Sequence, residues 1–271
     1  NMCGNLVYDY SYLRGILEGY LNPFTIELGF YNDDDNTNKK HSLFKSISRT
    51  ILLTKNTRVL TFHSDVNTDR DFSVLNFVNL TEFIYSFNQV LNETEFCNQK
   101  ETYKKITFVA LHAGNIKDRN KILQDFDNTP DDEIYIISSC ETIGEGIDTK
   151  NANMCVFVDP KTSYVKIIQN MGRIVRKQTG KNRKSTILLQ CFVNKNKYLL
   201  YKDDPNKCDE LIREDLSKTG NWNAILNVFS ALKQEQPDIY DICLNYPNSY
   251  SPIEIKINIQ KQGFQIIDKI G

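Results

Sequence analysis

The sequence predicts an α/β fold, a parallel sheet with helices on both faces, plus a mostly helical C-terminal extension. Three observations carry this. Five apolar runs of strand length stand at residues 58–63, 105–112, 133–138, 154–159 and 186–193. Helical patterns lie among them, at residues 71–91, 116–126 and 163–177. Strands that alternate with helices imply parallel pairing through crossovers. The third observation is size: 271 residues at 40% hydrophobic content supply a core for one large domain, or one domain with an extension.

The elements follow in chain order. Residues 9–19 read as a short amphipathic helix closed by Gly19 and Pro23. Residues 32–40 hold Asp33, Asp34 and Asp35 among asparagines and read as a flexible surface loop. Residues 1–56 are therefore assigned to a linker and entry helices, 57–200 to the sheet domain and 201–271 to the extension. The run 58–63 is a strand that ends on His63. The run 105–112 leads into the turn His112-Ala113-Gly114, and the next helix carries Asp118, Arg119 and Lys121 on its exposed surface. The run 133–138 is a buried strand through Ile134, Ile136 and Ile137. It leads through Ser139, Cys140 and Thr142 into Ile143-Gly144-Glu145-Gly146-Ile147-Asp148, where two glycines let the backbone turn tightly against a ligand. Residues 219–248, with Trp222, Ile225, Val228 and Phe229, read as helix packed on the domain. In 253–259, Ile253, Ile255, Ile257 and Ile259 alternate with polar residues. That is a half-buried strand, whose partner is expected on the edge of a neighbouring domain. Ligands of open parallel sheets bind at the carboxyl ends of strands, and every motif, that of residues 163–177 included, is expected there.

The segment 163–177 carries the most chemistry. Read as a helix, it places Gln169, Arg173 and Arg176 at i, i+4 and i+7 on one face. Tyr164, Ile168, Met171 and Val175 share the opposite, buried face. A guanidinium is planar, forked and permanently charged, which suits charge on a transferring phosphoryl group. Gly172 sits within the helix at a cost of about 1 kcal/mol relative to alanine. A close approach by backbone or nucleotide accounts for it. Taken alone, these residues also fit an ordinary amphipathic helix with a solvated basic face.

The Glu145-Gly146-x-Asp148 turn followed by Gln169-x-x-Gly172-Arg173-x-x-Arg176 resembles motifs V and VI of superfamily 2 helicases and nucleic-acid-dependent ATPases. Val59-Leu60-Thr61-Phe62-His63 resembles motif IV, and His112-x-Gly114 resembles the turn after the next strand. Residues 8–24 resemble the linker that follows the first lobe in restriction-type and viral helicases. The resemblance covers about residues 5–195, and more loosely 217–247. It implies that this chain is the second of two RecA-like lobes. Arg173 and Arg176 would then be arginine fingers at an interlobe ATP site. Gln169, Glu145, Gly146 and Asp148 would bind nucleotide. His63, His112, Gly114, Ser139 and Thr142 would contact a nucleic-acid backbone, DNA or RNA. Many family members carry threonine where this chain has Cys140, so Ser139 or Thr142 would supply the hydroxyl. ATP and Mg²⁺ would be held mainly by the N-terminal RecA-like lobe, because the sequence contains no G-x-x-x-x-G-K-[ST] loop. Two alternatives stay open: a translocase lobe moving on double-stranded DNA, and a non-catalytic interaction module with a helicase-like fold.

Charge and composition exclude other classes. A net charge of −1 argues against a purely electrostatic polyanion binder. The basic run Arg173, Arg176, Lys177, Lys181, Arg183, Lys184 has no acidic member and forms either a phosphate-facing patch or a solvated loop. No apolar run approaches the roughly 18 residues of a membrane-spanning helix, and no secretory signal pattern opens the chain, so no membrane partner is expected. The 7 cysteines include no C-x-x-C pair and read as reduced, in an intracellular protein. A host cytoplasm or virion is the expected place if the source is viral. The three histidines are scattered, so no metal site is expected. The first residue is not methionine, which suggests a piece of something longer.

Overall fold

A computed structural model of the chain describes residues 11–32, 38–67, 69–140, 149–159, 163–177, 183–193, 197, 200–201, 203–204, 206–207, 210–211, 214, 223–244 and 254–259. Its strands are β1 (Phe24–Asn32), β2 (Arg58–His63), β3 (Lys105–Leu111), β4 (Glu133–Cys140), β5 (Met154–Phe157), β6 (Ser185–Val193) and β7 (Glu254–Ile259). They form one sheet in the order β3-β4-β2-β5-β6-β1-β7, and every pairing is parallel. The five strands expected from apolar runs occupy five neighbouring positions, β3 to β6. The result is the RecA-like α/β architecture that the sequence implied.

Alternation along the strands splits the core into two layers. On one face Val59, Ile134, Ile136, Met154, Val156 and Leu188 pack with helices α2 (Lys39–Thr54) and α4 (Leu80–Leu91). Phe44 of α2 is the hub of that layer, with ring centroids 5.0 Å from Phe77, 5.4 Å from Phe83 and 5.9 Å from Phe108, all edge-on. On the other face Leu60, Phe62, Tyr135, Ile137, Cys155, Phe157, Ile187 and Leu189 pack with α5 (Arg119–Asp127), α6 (Tyr164–Ile174) and α7 (Asn223–Glu235). Both faces are thus covered by helices, and the strands are buried runs as parallel sheets require.

Two elements differ from expectation. Strand β1 lies inside the region read as linker and entry helices. Its apolar residues Phe24, Ile26 and Leu28 are buried, but so are Thr25 and Glu27, the latter 1% exposed. Thr50 of α2 donates to Glu27 Oε2 at 2.7 Å, which satisfies a carboxylate-bearing side chain in the sheet layer. A polar residue buried this way hides a central strand from a search for apolar runs. Helix α2 follows it, capped by Asn38, whose side chain accepts from His41 N, and closed by Lys55 in a left-handed conformation at φ 61°. Finally, β7 finds its partner within this chain: it pairs with β1 in the register Ile26↔Ile255 and Leu28↔Ile257, where a neighbouring domain was expected to supply the edge.

Boundaries shift for local reasons. The helical pattern at 71–91 breaks into α3 (Val74–Phe77) and α4, because Asn79 caps the second helix by accepting from Glu82 N. A 3₁₀ turn over Ala113–Asp118 precedes α5. The C-terminal helical segment divides into α7 and α8 (Pro237–Leu244) at Pro237, which opens a helix readily and cannot continue one. α1 is the short helix Tyr12–Leu17, capped by Ser11. Among the described cysteines Cys140, Cys155 and Cys191 are buried, Cys97 is exposed, and none is in a disulfide. No described helix is long and apolar enough to cross a membrane.

Candidate functional site

Helix α6 buries Ile167, Met171 and Ile174, at i, i+4 and i+7, against the sheet. Tyr164 and Ile168, expected at the centre of the buried face, are only partly buried at its flank. The helix ends at Ile174, three residues before the expected limit, so Arg176 is not helical. What ends it is the entering chain. Asn22 N donates to Val175 O at 2.7 Å, Asn22 Nδ2 donates to Arg176 O at 2.9 Å, and Leu21 forms an antiparallel bridge with Arg176. Backbone carbonyls that end a helix without partners are met here by the residues just before β1.

Despite that early end, Gln169, Arg173 and Arg176 come together. With Gly172 and Tyr12 they line a cavity of about 440 Å³. Gln169 and Arg176 are exposed and Arg173 is half-buried. Arg176 Nη1 reaches Thr149 O at 3.4 Å. Tyr12, from α1, closes one wall: its hydroxyl donates to Ile168 O at 2.6 Å, and its backbone N donates to Gln236 Oε1 at 2.7 Å, between α7 and α8. Burial pushes the Tyr12 phenol well above its ordinary range, Cys155 adds to this, and the Arg176 charge opposes it. The hydroxyl is therefore a neutral donor at any working pH. Two guanidiniums, an amide and a phenol suit a phosphate-bearing anion and offer no carboxylate or imidazole to a metal ion. Among the described residues no cluster of His, Cys, Asp and Glu could hold one.

The pocket does not lie at the carboxyl ends of the strands, as was expected of every motif. Ser185, the first residue of β6, donates its hydroxyl to Ile174 O at 2.5 Å, and β1 starts beside it in the register Phe24↔Ser185. α6 runs back along the sheet after β5, which carries its last turn to the amino ends of β1 and β6. The basic run does not act as one patch. Lys177 Nζ donates to Gly19 O at 2.8 Å, Arg183 pairs with Asp131 at 2.5 Å, and Lys181 lies outside the described residues.

The other predicted residues that are described, His63, His112, Gly114 and Ser139, are at the carboxyl ends. His63 is fully buried. Its Nε2 bonds Thr61 Oγ1 at 2.9 Å, its Nδ1 bonds Phe72 O at 2.6 Å, and Thr61 Oγ1 bonds Ser138 Oγ at 2.6 Å. Both ring nitrogens are engaged inside the protein, so His63 is a structural residue here and not a nucleic-acid contact. His112 stays half-exposed beyond β3. Its Nδ1 accepts from Gly114 N at 3.1 Å, which leaves Nε2 as the protonated nitrogen of the neutral ring. A Cβ on Gly114 would come within 2.7 Å of the His112 ring, so the H-x-G spacing is a steric fit of ring over glycine. Ser139 is buried, and its hydroxyl has no hydrogen-bond partner among the described residues. Cys140 Sγ reaches Ser64 O at 3.1 Å. Thr142, Glu145, Gly146 and Asp148 lie outside the described residues.

Sequence reasoning missed Tyr12, Asn22 and Gln236. Each acts through a partner more than 150 residues away, as the Tyr12 to Ile168 and Asn22 to Arg176 separations of 156 and 154 show, and none carries a local pattern. The one available signal was Gly172, whose place in a helix asked for a close neighbour.

Residues 52–178 match the helicase conserved C-terminal domain. No curated protein matches the chain. Among solved structures the chain is similar to the ATP-dependent type ISP restriction-modification enzyme LlaBIII bound to DNA, with a TM-score of 0.61 and 15% identity over 92% of this chain. It spans 16% of that enzyme. It is also similar to the C-terminal domain of the DEAD-box protein Dbp5, with a TM-score of 0.40 and 12% identity, covering 87% of this chain and 89% of that one. The first likeness is one of fold, and the second is too loose to add to it.

Proposed function

We propose, from the premise that residues 52–178 are a superfamily 2 helicase C-terminal lobe, that this chain is the second half of a nucleic-acid-dependent ATPase. The observation that carries the reading is the pocket that gathers Gln169, Arg173 and Arg176 around one cavity. In the complete protein a preceding RecA-like lobe would present ATP, with Mg²⁺, to this cavity. Arg173 and Arg176 are the arginine fingers. They are permanently charged, and they meet the γ-phosphoryl oxygens where charge is redistributed in the transition state. Gln169, one turn before Arg173 on α6, carries an amide that can accept from the attacking water or donate to a phosphate oxygen, so it senses the state of the nucleotide. Mg²⁺, when bound with ATP, neutralises phosphate charge. This lobe contributes cations to that task and no metal ligand.

Nucleic acid is proposed to lie across the carboxyl ends of the strands, against the backbone at His112 and Gly114, with Ser139 and Thr142 nearby. His63 is withdrawn from that set by its burial. Glu145, Gly146 and Asp148 remain proposed nucleotide contacts. LlaBIII is an ATP-dependent enzyme seen bound to DNA, which makes DNA the first polymer to test and keeps a double-stranded DNA translocase as the second reading.

The test is ATP hydrolysis by this chain alone and by the chain joined to its preceding region, with single-stranded DNA, duplex DNA and RNA. The reading predicts hydrolysis only in the joined protein, stimulated by one polymer. Hydrolysis by the chain alone would contradict it. Absence of hydrolysis in the joined protein would favour an interaction module.

A further inference from the structure

We propose that Tyr12 is a positioning residue for Arg173 and Arg176, acting through helix α6, and that Gly172 is glycine to admit its hydroxyl. The inference rests on the phosphate-handling reading of the pocket. A Cβ built on Gly172 would lie 2.5 Å from Tyr12 Oη and 3.5 Å from Tyr12 Cζ. The first distance is a clash and the second is ordinary contact. Among the described residues, the helix's own backbone and the two chain neighbours aside, no atom outside Tyr12 lies within 4 Å of that Cβ. The missing side chain is therefore accounted for by one oxygen atom, and that oxygen is bonded to Ile168 O at 2.6 Å, one turn back on the same helix.

Tyr12 is itself held from behind. Its backbone N is anchored on Gln236, and Gln236 N in turn bonds Leu232 O at the end of α7. α7 packs on α6. The phenol thus acts as a strut between the C-terminal helices and the turn of α6 that carries Gln169, Gly172 and Arg173. The seam from Leu21 and Asn22 to residues 175–176 fixes the next turn, on which Arg176 sits. Pre-set guanidinium positions matter because arginines act on transition-state charge only when already in place.

The experiment uses the full-length protein and four variants: Tyr12→Phe, Gly172→Ala, the double variant, and Arg176→Ala as reference. The readouts are kcat and KM for ATP at saturating nucleic acid, measured below every variant's thermal midpoint. Tyr12→Phe is expected to lower kcat about three- to tenfold, the worth of one hydrogen bond, with KM for ATP unchanged, as for an effect felt in the transition state. Gly172→Ala is expected to lower kcat at least as far, because the hydroxyl must move. The double variant is expected to match Tyr12→Phe, because a methyl group fits at 3.5 Å from Cζ once the oxygen is gone. Additive losses in the double variant would overturn the proposal, since Gly172 would then be kept open for the nucleotide. A raised KM with kcat unchanged in Tyr12→Phe would overturn it too, making Tyr12 a ground-state nucleotide contact. An inactive Arg176→Ala beside a fully active Tyr12→Phe defeats the Tyr12 proposal alone, whereas an active Arg176→Ala defeats the pocket reading beneath it.

Discussion

The two ends of the sheet use the same kinds of residue in opposite ways. At the carboxyl ends, His63, Thr61 and Ser138 form a chain of hydrogen bonds with no exposed member. At the amino ends, Gln169, Arg173 and Arg176 are left facing a cavity by a tight backbone seam around them. A histidine at a strand end and an arginine after a helix look equally functional in a sequence. Burial separates them. The buried network stabilises and specifies the sheet, and the other three side chains border a cavity.

That difference can be broken by substitution. The largest expected effect is on hydrolysis. Arg173→Ala or Arg176→Ala in the full-length protein should cost about 10³-fold or more in stimulated ATPase rate, while the thermal midpoint stays close to that of the parent. A large drop in midpoint would place the arginines on the structural side of the comparison. His63→Ala should do the reverse. It removes a buried ring that satisfies Phe72 O and Thr61, and should cost about 2–4 kcal/mol in stability by chemical denaturation. Nucleic-acid affinity of the folded fraction should hold. A loss of affinity without a loss of stability would return His63 to the contact set.

Between these lies the aromatic hub. Phe44→Ala should cost about 3–5 kcal/mol with no change in KM for ATP, because its layer lies on the face away from α6. The smallest effect belongs to Ser139. Its buried hydroxyl has no partner among the described residues, so Ser139→Ala should be neutral or slightly stabilising. If the same change weakens nucleic-acid binding in filter or anisotropy assays, the hydroxyl turns outward when the polymer arrives.

The same contrast explains what the sequence made legible. β2 to β6 are apolar enough on both faces to stand out as runs, and Gln169, Arg173 and Arg176 stood out by spacing. β1 did not, because Thr25 and Glu27 occupy its second face, and Glu27 is satisfied by Thr50 of α2, an element met only later in the chain. β7 was visible by alternation, but its partner was invisible for as long as β1 was. The position of the pocket was misjudged because the carboxyl-end rule describes loops, and this pocket is built at the far end of a returning helix. Tyr12 had no local signature at all. Its role exists only through an oxygen that touches two residues of α6, Ile168 by hydrogen bond and Gly172 by close approach.

The central claim is that the two arginines recognise transferring phosphate more strongly than resting nucleotide. The most direct measurement compares affinity for ADP with aluminium fluoride and Mg²⁺ against affinity for ADP alone, in the full-length parent and in Arg173→Ala and Arg176→Ala. The account predicts a selective loss of the fluoride complex, with ADP binding nearly unchanged. Equal weakening of both, or of neither, would contradict it.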